Sequence, residues 1–149
     1  MNEEETTQAF LHSLLEHKVL IEWKPQYNLG IPVVDEQHRA IVATINSLHF
    51  AIQNEQGENI LQPVINMVKE YTRIHFEIEE NFFRICDFPD LESHQEMHKE
   101  LGRLVSQIGE KSIEDKNPLD FLNFLKEWFI DHVCQKDRRF KEFLLDMNR

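Results

Sequence analysis

Five of the eight histidines in this 149-residue chain stand in patterns that could bind metal. His94 and His98 are four residues apart, and His75 stands in the same relation to Glu79. On an α-helix such residues lie about 40° apart around the axis and one turn apart along it. Both members of each pair can therefore face one point. The two pairs predict helix faces that carry imidazole and carboxylate donors.

His38, His132 and Asp137 complete the candidate ligand set. A lone histidine on a helix is usually a surface residue or a hydrogen-bonded core residue. Five imidazoles that face one core, however, are costly to bury without partners, and a metal satisfies their lone pairs. Mixed imidazole and carboxylate ligation favours iron, with zinc and manganese as competitors. The set is too large for one structural zinc ion, which takes about four ligands.

One spacing in the set does not suit a regular helix. His132 and Asp137 are five residues apart, which places them about 140° apart around an α-helix. Both can reach one site only if the helix is locally widened or Asp137 reaches in from the side. We therefore predict a π-bulge near residues 134–136, since π-bulges are common at functional sites.

The other three histidines and the thiols are expected to lie outside this set. His12 and His17 should be solvated, and His49 lies about 16 Å from His38 by helical rise. Cys134 follows His132 by two residues, and a buried structural thiol is the expected role there rather than a redox-active one.

Four predicted helices must hold the candidate ligands. Glycine and proline number only 4 and 5, and they fall between long segments with apolar residues at helical spacing. The predicted helices span residues 35–53, 58–85, 91–109 and 118–146, and Pro63 could delay the start of the second. Four such helices with short connections predict an all-α fold, an antiparallel up-down four-helix bundle.

The bundle and its arm are predicted over residues 23–149, and residues 1–22 form an N-terminal extension. Residues 23–32 should be an irregular aromatic arm, because two prolines and a glycine interrupt them. Residues 5–20 could form a short extra helix, whose apolar residues include Phe10, Leu11, Leu14 and Leu15. We expect that helix to pack on the bundle surface, and docking to a partner is the alternative.

The composition excludes several classes of function. The formal net charge is −11, from 27 acidic and 16 basic residues, so neither nucleic acid nor an anionic membrane surface is an expected partner. The acidic N-terminus does not resemble a signal peptide, and no apolar run is long enough for a membrane helix. With two cysteines and no Cys-x-x-Cys pair, a cytoplasmic protein with reduced thiols is expected.

The ordered ligand set resembles the signature of the bacterial hemerythrins. The resemblance rests on His38, His75-Phe-Glu-Ile-Glu79, His94-Gln-Glu-Met-His98 and His132-Val-Cys-Gln-Lys-Asp137. Flanking residues are similar as well, namely Trp23, Gly30-Ile31, Asp35-Glu36-Gln37, Pro89 and Trp128. A single HxxxH motif is weak, whereas the complete set is specific, and the resemblance extends from residue 23 to about residue 143.

The resemblance implies a non-haem di-iron centre, with two iron ions (Fe2+ or Fe3+) joined by an oxo or hydroxo bridge. It assigns His94, His98 and His132 to one iron, His38 and His75 to the other, and Glu79 and Asp137 to both. Two six-coordinate irons then keep one open position, on the iron with two histidines, and an open position makes a metal site reactive. The family binds molecular oxygen reversibly at this position.

An apolar pocket should surround the open position and limit access of protons. Its candidate lining residues are Phe76, Phe83, Trp128, Phe129 and Val133. The chain departs from the family pattern at Phe83, where methionine is common, and at Phe88, where tyrosine is usual. The first departure could change the size of the pocket, and the second should affect only a loop.

Three functions compete. The leading prediction is an oxygen-binding protein for carriage, storage or delivery, and not an enzyme. The alternatives are a sensor, in which oxygen or nitric oxide alters a contact with a protein partner, and a weak di-iron peroxidase or oxidase. Ferritin-like oxidases use two Glu-x-x-His motifs, and this chain has none, which counts against the enzyme.

Overall fold

The structure, a computed structural model, describes residues 2–148 apart from the side chains of Val133 and Lys136. Its α-helices are α1 (Glu3–Glu16), α2 (Pro32–Gln53), α3 (Gly57–Ile85), α4 (Leu91–Glu114), α5 (Pro118–Trp128) and α6 (Asp137–Met147). A 3-10 turn spans Pro25–Tyr27, and a π-helical segment spans Phe129–Lys136. Because α5, the π-helical segment and α6 follow one another directly, they form one long fourth helix of the bundle.

The predicted four-helix bundle is confirmed. Helix α2 packs against α3, α3 against α4, α4 against α5, and α5 closes the ring against α2. Short connections join successive helices, so neighbours run antiparallel. Among the described residues, no helix has the length and apolar character needed to cross a membrane.

In the four helices of the bundle, two boundaries differ from the sequence prediction by more than one residue. Helix α2 begins at Pro32 rather than at Asp35, with proline in the first turn, where its missing N–H is not needed. Helix α4 continues to Glu114 instead of ending at Gly109. A β-carbon at position 109 would lie 3.1 Å from Cγ2 of Ile65, so this glycine permits close packing of α4 on α3. Pro63 does not delay α3 but lies inside it.

The three connections between bundle helices each contain one non-glycine residue with left-handed backbone. These are Glu55 (φ 60°), Asp87 (φ 54°) and Lys116 (φ 51°). Gly57 falls in the predicted gap between residues 53 and 58, but it is the first residue of α3. A β-carbon there would lie 2.8 Å from Cγ1 of Ile52 and 2.9 Å from Cγ of Pro118, so the close approach of three helix ends requires glycine.

Apolar side chains fill the bundle on both sides of the candidate ligands. The larger cluster includes Ile45, Leu48, Leu61, Ile65, Phe121 and Leu125 and lies toward the α2–α3 and α4–α5 connections. We call this the apolar end. A smaller cluster of Phe83, Phe88 and Phe140 lies toward the α3–α4 connection. Phe88 is therefore a buried core residue, and the prediction that it affects only a loop was wrong. The candidate ligands lie between the two clusters. We call the half of the bundle that contains the candidate ligands and the smaller cluster the site end.

The N-terminal region packs on the outside of this bundle. Asp35 holds the arm, because its carboxylate accepts hydrogen bonds from the backbone N–H groups of Leu29 (2.7 Å) and Gly30 (3.1 Å). Helix α1 is held at its start by a capping box between Asn2 and Glu5. Its apolar residues stay largely exposed, for example Leu15 at 83%.

The prediction that His17 is solvated was wrong. Its side chain is half-buried, with the ring centroid 5.2 Å from that of His49 and 4.9 Å from that of Phe50. These contacts join the residue after α1 to the surface of α2. They also place His49 on the outside of the bundle rather than among the candidate ligands.

Candidate metal centre

All four bundle helices contribute to one cluster of imidazoles and carboxylates. Helix α2 provides one residue, α3 two, α4 two, and the fourth helix two: His38, His75, Glu79, His94, His98, His132 and Asp137. Every one of these side chains is buried, with 5% or less of each residue exposed. The regular spacing within α3 and α4 turns both members of each pair inward, as expected for residues four apart.

The predicted widening of the fourth helix is present and longer than expected. The π-helical segment covers Phe129–Lys136, and the backbone N–H of Asp137 donates to the carbonyl oxygen of His132. That hydrogen bond closes a turn of five residues, so side chains five apart lie on one face. His132 and Asp137 can therefore enter the same cluster, which an α-helix would not allow.

Glu79 lies between two groups of histidines and turns one oxygen toward each. Its Oε2 lies 3.3 Å from Nε2 of His75. Its Oε1 lies 3.3 Å from Nε2 of His98 and 3.4 Å from Nε2 of His94. The carboxylate therefore faces both sides of the cluster at once.

The two carboxylate oxygens of Asp137 also face different groups of histidines. Its Oδ2 lies 3.0 Å from Nε2 of His38, and its Oδ1 lies 3.3 Å from Nε2 of His132 and 3.5 Å from Nε2 of His94. We call His38 and His75 the two-histidine side, because their Nε2 atoms are 3.3 Å apart. The remaining three, His94, His98 and His132, form the three-histidine side. Both carboxylates lie between the two sides.

The spacing and the unpaired polar atoms of this cluster fit metal ions. Two ligand atoms about 2.1 Å from one metal and at right angles to each other lie about 3 Å apart, close to the distances seen here. One group that could hold an ion comprises His38, His75, Glu79 and Asp137, and another comprises Glu79, His94 and His98. Within residues 2–148, buried atoms without a hydrogen-bond partner include Oε1 of Glu79, Nε2 of His94, His98 and His132, and both carboxylate oxygens of Asp137. Buried polar atoms are rarely left unpaired, and metal ions would satisfy these.

The ionisation states of the cluster also suit metal binding. Burial lowers the pKa of His132 to about 4, so its imidazole is neutral at neutral pH. Burial opposes ionisation of Asp137, but the neighbouring imidazoles, His132 first, hold the pKa of this carboxyl well below its usual range. Burial also lowers the pKa of His94, yet contacts with Asp137 and Glu79 outweigh burial and raise it to about 9. A metal that binds His94 would therefore release a proton.

Two candidate ligands are contacted at Nδ1, on the side of the ring that faces away from the cluster. The residues that make these contacts were not predicted from the sequence to be functional. Nδ1 of His75 lies 2.8 Å from Oε1 of Gln37, and Nδ1 of His98 lies 2.9 Å from Oε2 of Glu80. Each contact leaves the Nε2 lone pair free to face the cluster. Their neighbours in sequence, His38 and Glu79, are candidate ligands, but no spacing rule links Gln37 or Glu80 to the histidine that each contacts.

Three of the five predicted pocket residues have rings against candidate ligands. Phe76 stacks on His98 with ring centroids 3.9 Å apart, and Trp128 lies parallel to His132 at 5.6 Å. Phe83 meets His94 edge to face at 4.7 Å. The ring contacts of Phe129 are with Trp23 and Tyr27 of the arm. The side chain of Val133 lies outside the described part of the chain.

Cys134 lies in the π-helical segment but belongs to neither group of residues that could hold an ion. Its side chain is half-buried, and burial raises the pKa of the thiol. A raised pKa disfavours the reactive thiolate, in agreement with a structural role.

Comparisons with known proteins point to one family. The family model described as hemerythrin HHE cation binding domain matches residues 29–144, a range that includes all seven candidate ligands. The chain is 31% identical over 116 residues to a bacteriohemerythrin of Pseudomonas aeruginosa, covering 77% of this chain and 75% of that protein. It is 28% identical over 124 residues to a bacteriohemerythrin of Stenotrophomonas maltophilia, covering 83% and 80% respectively. A hemerythrin-like protein of Naegleria gruberi is 27% identical over 122 residues, covering 82% and 92%.

Proposed function

The chain belongs to the hemerythrin family, and from that premise we propose that its buried cluster holds two iron ions and binds molecular oxygen reversibly. Oxygen carriage, storage or delivery is the role we assign to it. The observation that carries this proposal is the orientation of the carboxylates of Glu79 and Asp137. Each turns one oxygen toward the two-histidine side and one toward the three-histidine side. Carboxylates placed in this way are suited to bridging a pair of ions.

The donor set supports a pair of ions rather than a single one. Five imidazole nitrogens and four carboxylate oxygens converge, more donors than one six-coordinate ion can accept. Thiolates are not part of the set, and the mixture of imidazole and carboxylate suits iron better than a structural zinc ion. The two-histidine side has one imidazole fewer, so we assign the position for an external ligand to that side.

Two adjacent ferrous ions would supply the two electrons needed to bind oxygen reversibly. The chain's own residues would hold and protect them. Gln37 and Glu80 orient His75 and His98 through hydrogen bonds to Nδ1. The rings of Phe76, Phe83 and Trp128 lie against ligand imidazoles and are buried, so they exclude water from the cluster.

The decisive experiment combines metal analysis with optical spectroscopy of the purified protein. We expect two irons per chain with little zinc or manganese, and an absorption band that appears with oxygen and disappears when oxygen is removed. About one metal per chain, or mainly zinc, would contradict the di-iron assignment. Two irons with no reversible band would contradict oxygen binding alone.

A second candidate is a sensor in which oxygen or nitric oxide at the same cluster alters a contact with a protein partner. The exposed apolar residues of α1 favour it, since Phe10, Leu11, Leu14 and Leu15 are each 44–83% exposed. Hydrogen exchange of the α1 backbone with and without oxygen tests this candidate. Faster or slower exchange on oxygenation would support the sensor, and equal exchange would favour the carrier. Turnover of added peroxide with a reductant would instead indicate the di-iron enzyme.

A further inference from the structure

The two sides of the cluster differ in the charge of the residue that lies behind a ligand. On the two-histidine side, Nδ1 of His75 meets the amide oxygen of Gln37 at 2.8 Å. On the three-histidine side, Nδ1 of His98 meets a carboxylate oxygen of Glu80 at 2.9 Å. The two contacts have almost the same length. The main difference between them is therefore the acceptor, which is a neutral amide in Gln37 and a carboxylate in Glu80.

Both contacts fix the same tautomer. An amide or carboxylate oxygen accepts a hydrogen bond from the Nδ1–H group, which keeps the proton on Nδ1 and leaves the Nε2 lone pair directed into the cluster. A carboxylate acceptor has a second effect, because its negative charge increases the electron density of the imidazole that donates the hydrogen bond. His98 should therefore be a stronger donor toward a cation than His75.

The surroundings of Glu80 preserve this charge effect. Its side chain is only 21% exposed and is one of those that line a groove of about 540 Å3 between α3 and α4, together with Phe76 and His98. Glu77 lines the same groove, but its side chain is 70% exposed and lies 3.7 Å from Arg73. Water and a neighbouring cation screen Glu77 more than Glu80, so the two acidic residues should act differently on a buried ion.

We propose that Glu80 is a positioning residue that makes the three-histidine side the more electron-rich half of the centre and stabilises ferric iron there. Gln37 is its neutral counterpart and leaves the two-histidine side easier to reduce. The inference rests on the proposed di-iron function and adds to it an electronic difference between the two ions. Loss of a negative charge weakens binding of a trivalent ion more than of a divalent one, so replacing Glu80 should raise the reduction potential.

Three substitutions that each change the charge by one unit test this proposal. Glu80→Gln removes the charge but keeps an acceptor for His98, Gln37→Glu adds a charge behind His75, and Glu77→Gln is the matched control on the same groove. Iron-loaded proteins are titrated with dithionite, which is oxidised as it gives one electron to each ferric ion. If Glu80→Gln weakens ferric binding tenfold more than ferrous binding, the midpoint potential rises by about 59 mV. Gln37→Glu should lower the potential, and Glu77→Gln should leave it unchanged.

A second measurement needs neither oxygen nor a reductant. Affinity for Co2+, measured by competition with a chelator, should fall about 10- to 100-fold in Glu80→Ala, as is typical when a hydrogen-bond partner of a ligand is lost. Glu80→Gln should restore most of that affinity, and Glu77→Ala should not alter it.

Two results would overturn the inference while leaving the proposed function intact. The first is an equal potential in Glu80→Gln and Glu77→Gln at two irons per chain. The second is equal Co2+ affinity in Glu80→Ala and Glu77→Ala. Failure of the unaltered protein to bind two irons would instead overturn the proposed function, so the two failures can be told apart.

Discussion

The two ends of the bundle bury side chains of opposite chemical character. At the apolar end, Ile45, Leu48, Leu61, Phe121 and Leu125 are at most 1% exposed and pack against other apolar groups. At the site end, equally buried positions carry imidazoles and carboxylates, several of whose polar atoms have no hydrogen-bond partner within the described chain. Burial of apolar side chains stabilises the fold, whereas burial of unpaired polar atoms destabilises it.

This difference indicates how the site can form before any metal arrives. The apolar end supplies the folding free energy that holds the helices in register, and the helices then hold ligands that would repel one another or remain unpaired in isolation. Metal binding would add stability at the site end only. Substitutions at the two ends should therefore have separable effects on stability and on metal content.

The largest effect is expected from removal of one candidate ligand at the site end. His98→Ala should reduce the iron content below two per chain and abolish most of the stabilisation that metal provides. That stabilisation is about 4 kcal/mol when free metal is a thousandfold above its dissociation constant. Elemental analysis and thermal melting with and without metal measure both effects.

His49→Ala is the control for this substitution, because His49 packs against His17 on the outside of the bundle. It should keep two irons and the full rise in melting temperature on metal addition. Equal iron content and equal melting in the two variants would contradict the roles assigned to these histidines.

A matched pair of phenylalanines compares the two ends directly. Phe83 and Phe121 are both 0% exposed, but Phe83 contacts His94 whereas Phe121 belongs to the apolar end. Replacement of either by alanine should cost about 3–5 kcal/mol of unfolding free energy. Only the cavity at Phe83 borders polar ligands and should admit water, which brings protons to the centre.

Reversible oxygen binding separates the two variants. At full iron occupancy, Phe83→Ala should lose its oxygen-binding capacity faster over repeated cycles, whereas Phe121→Ala should resemble the unaltered protein. Denaturant unfolding checks that both lose similar stability. If both variants keep their capacity equally, Phe83 is only a core residue.

Helix periodicity and ligand spacing were sufficient to predict the bundle and the inward faces of α3 and α4. The five-residue spacing of His132 and Asp137 also predicted a widened helix, and the structure has the π-turn rather than the alternative in which Asp137 reaches in from the side. The inward faces and the widened turn depend on geometry within a single helix, and the bundle follows from four long helices joined by short connections.

Contacts between side chains of different helices, and turns that contain no glycine, were not predicted. Gln37 contacts a histidine of α3 from α2, so the contact is set by the relative rotation of two helices. The left-handed residues Glu55 and Lys116 are not glycines, so composition did not mark them as turn positions. Gly109 was interpreted as a helix end because its packing partner, Ile65, lies on another helix.

The smallest effect is expected from two glycines of α4, and it tests how tightly each end is packed. Alanine is favoured over glycine inside a helix by about 0.5–1 kcal/mol. At Gly102, in the groove beside the site, a β-carbon would meet nothing within 4 Å apart from its chain neighbours and the backbone of its own helix. Gly102→Ala should therefore stabilise the protein by about that amount. At Gly109 the β-carbon would lie 3.1 Å from Cγ2 of Ile65, a core residue that is only 2% exposed and has little room to move. Gly109→Ala should therefore gain nothing or lose stability, because overpacking opposes the gain in helix propensity. Denaturant unfolding of the metal-free variants measures the difference, and equal stabilisation by both substitutions would show that the apolar end is no more tightly packed than the groove.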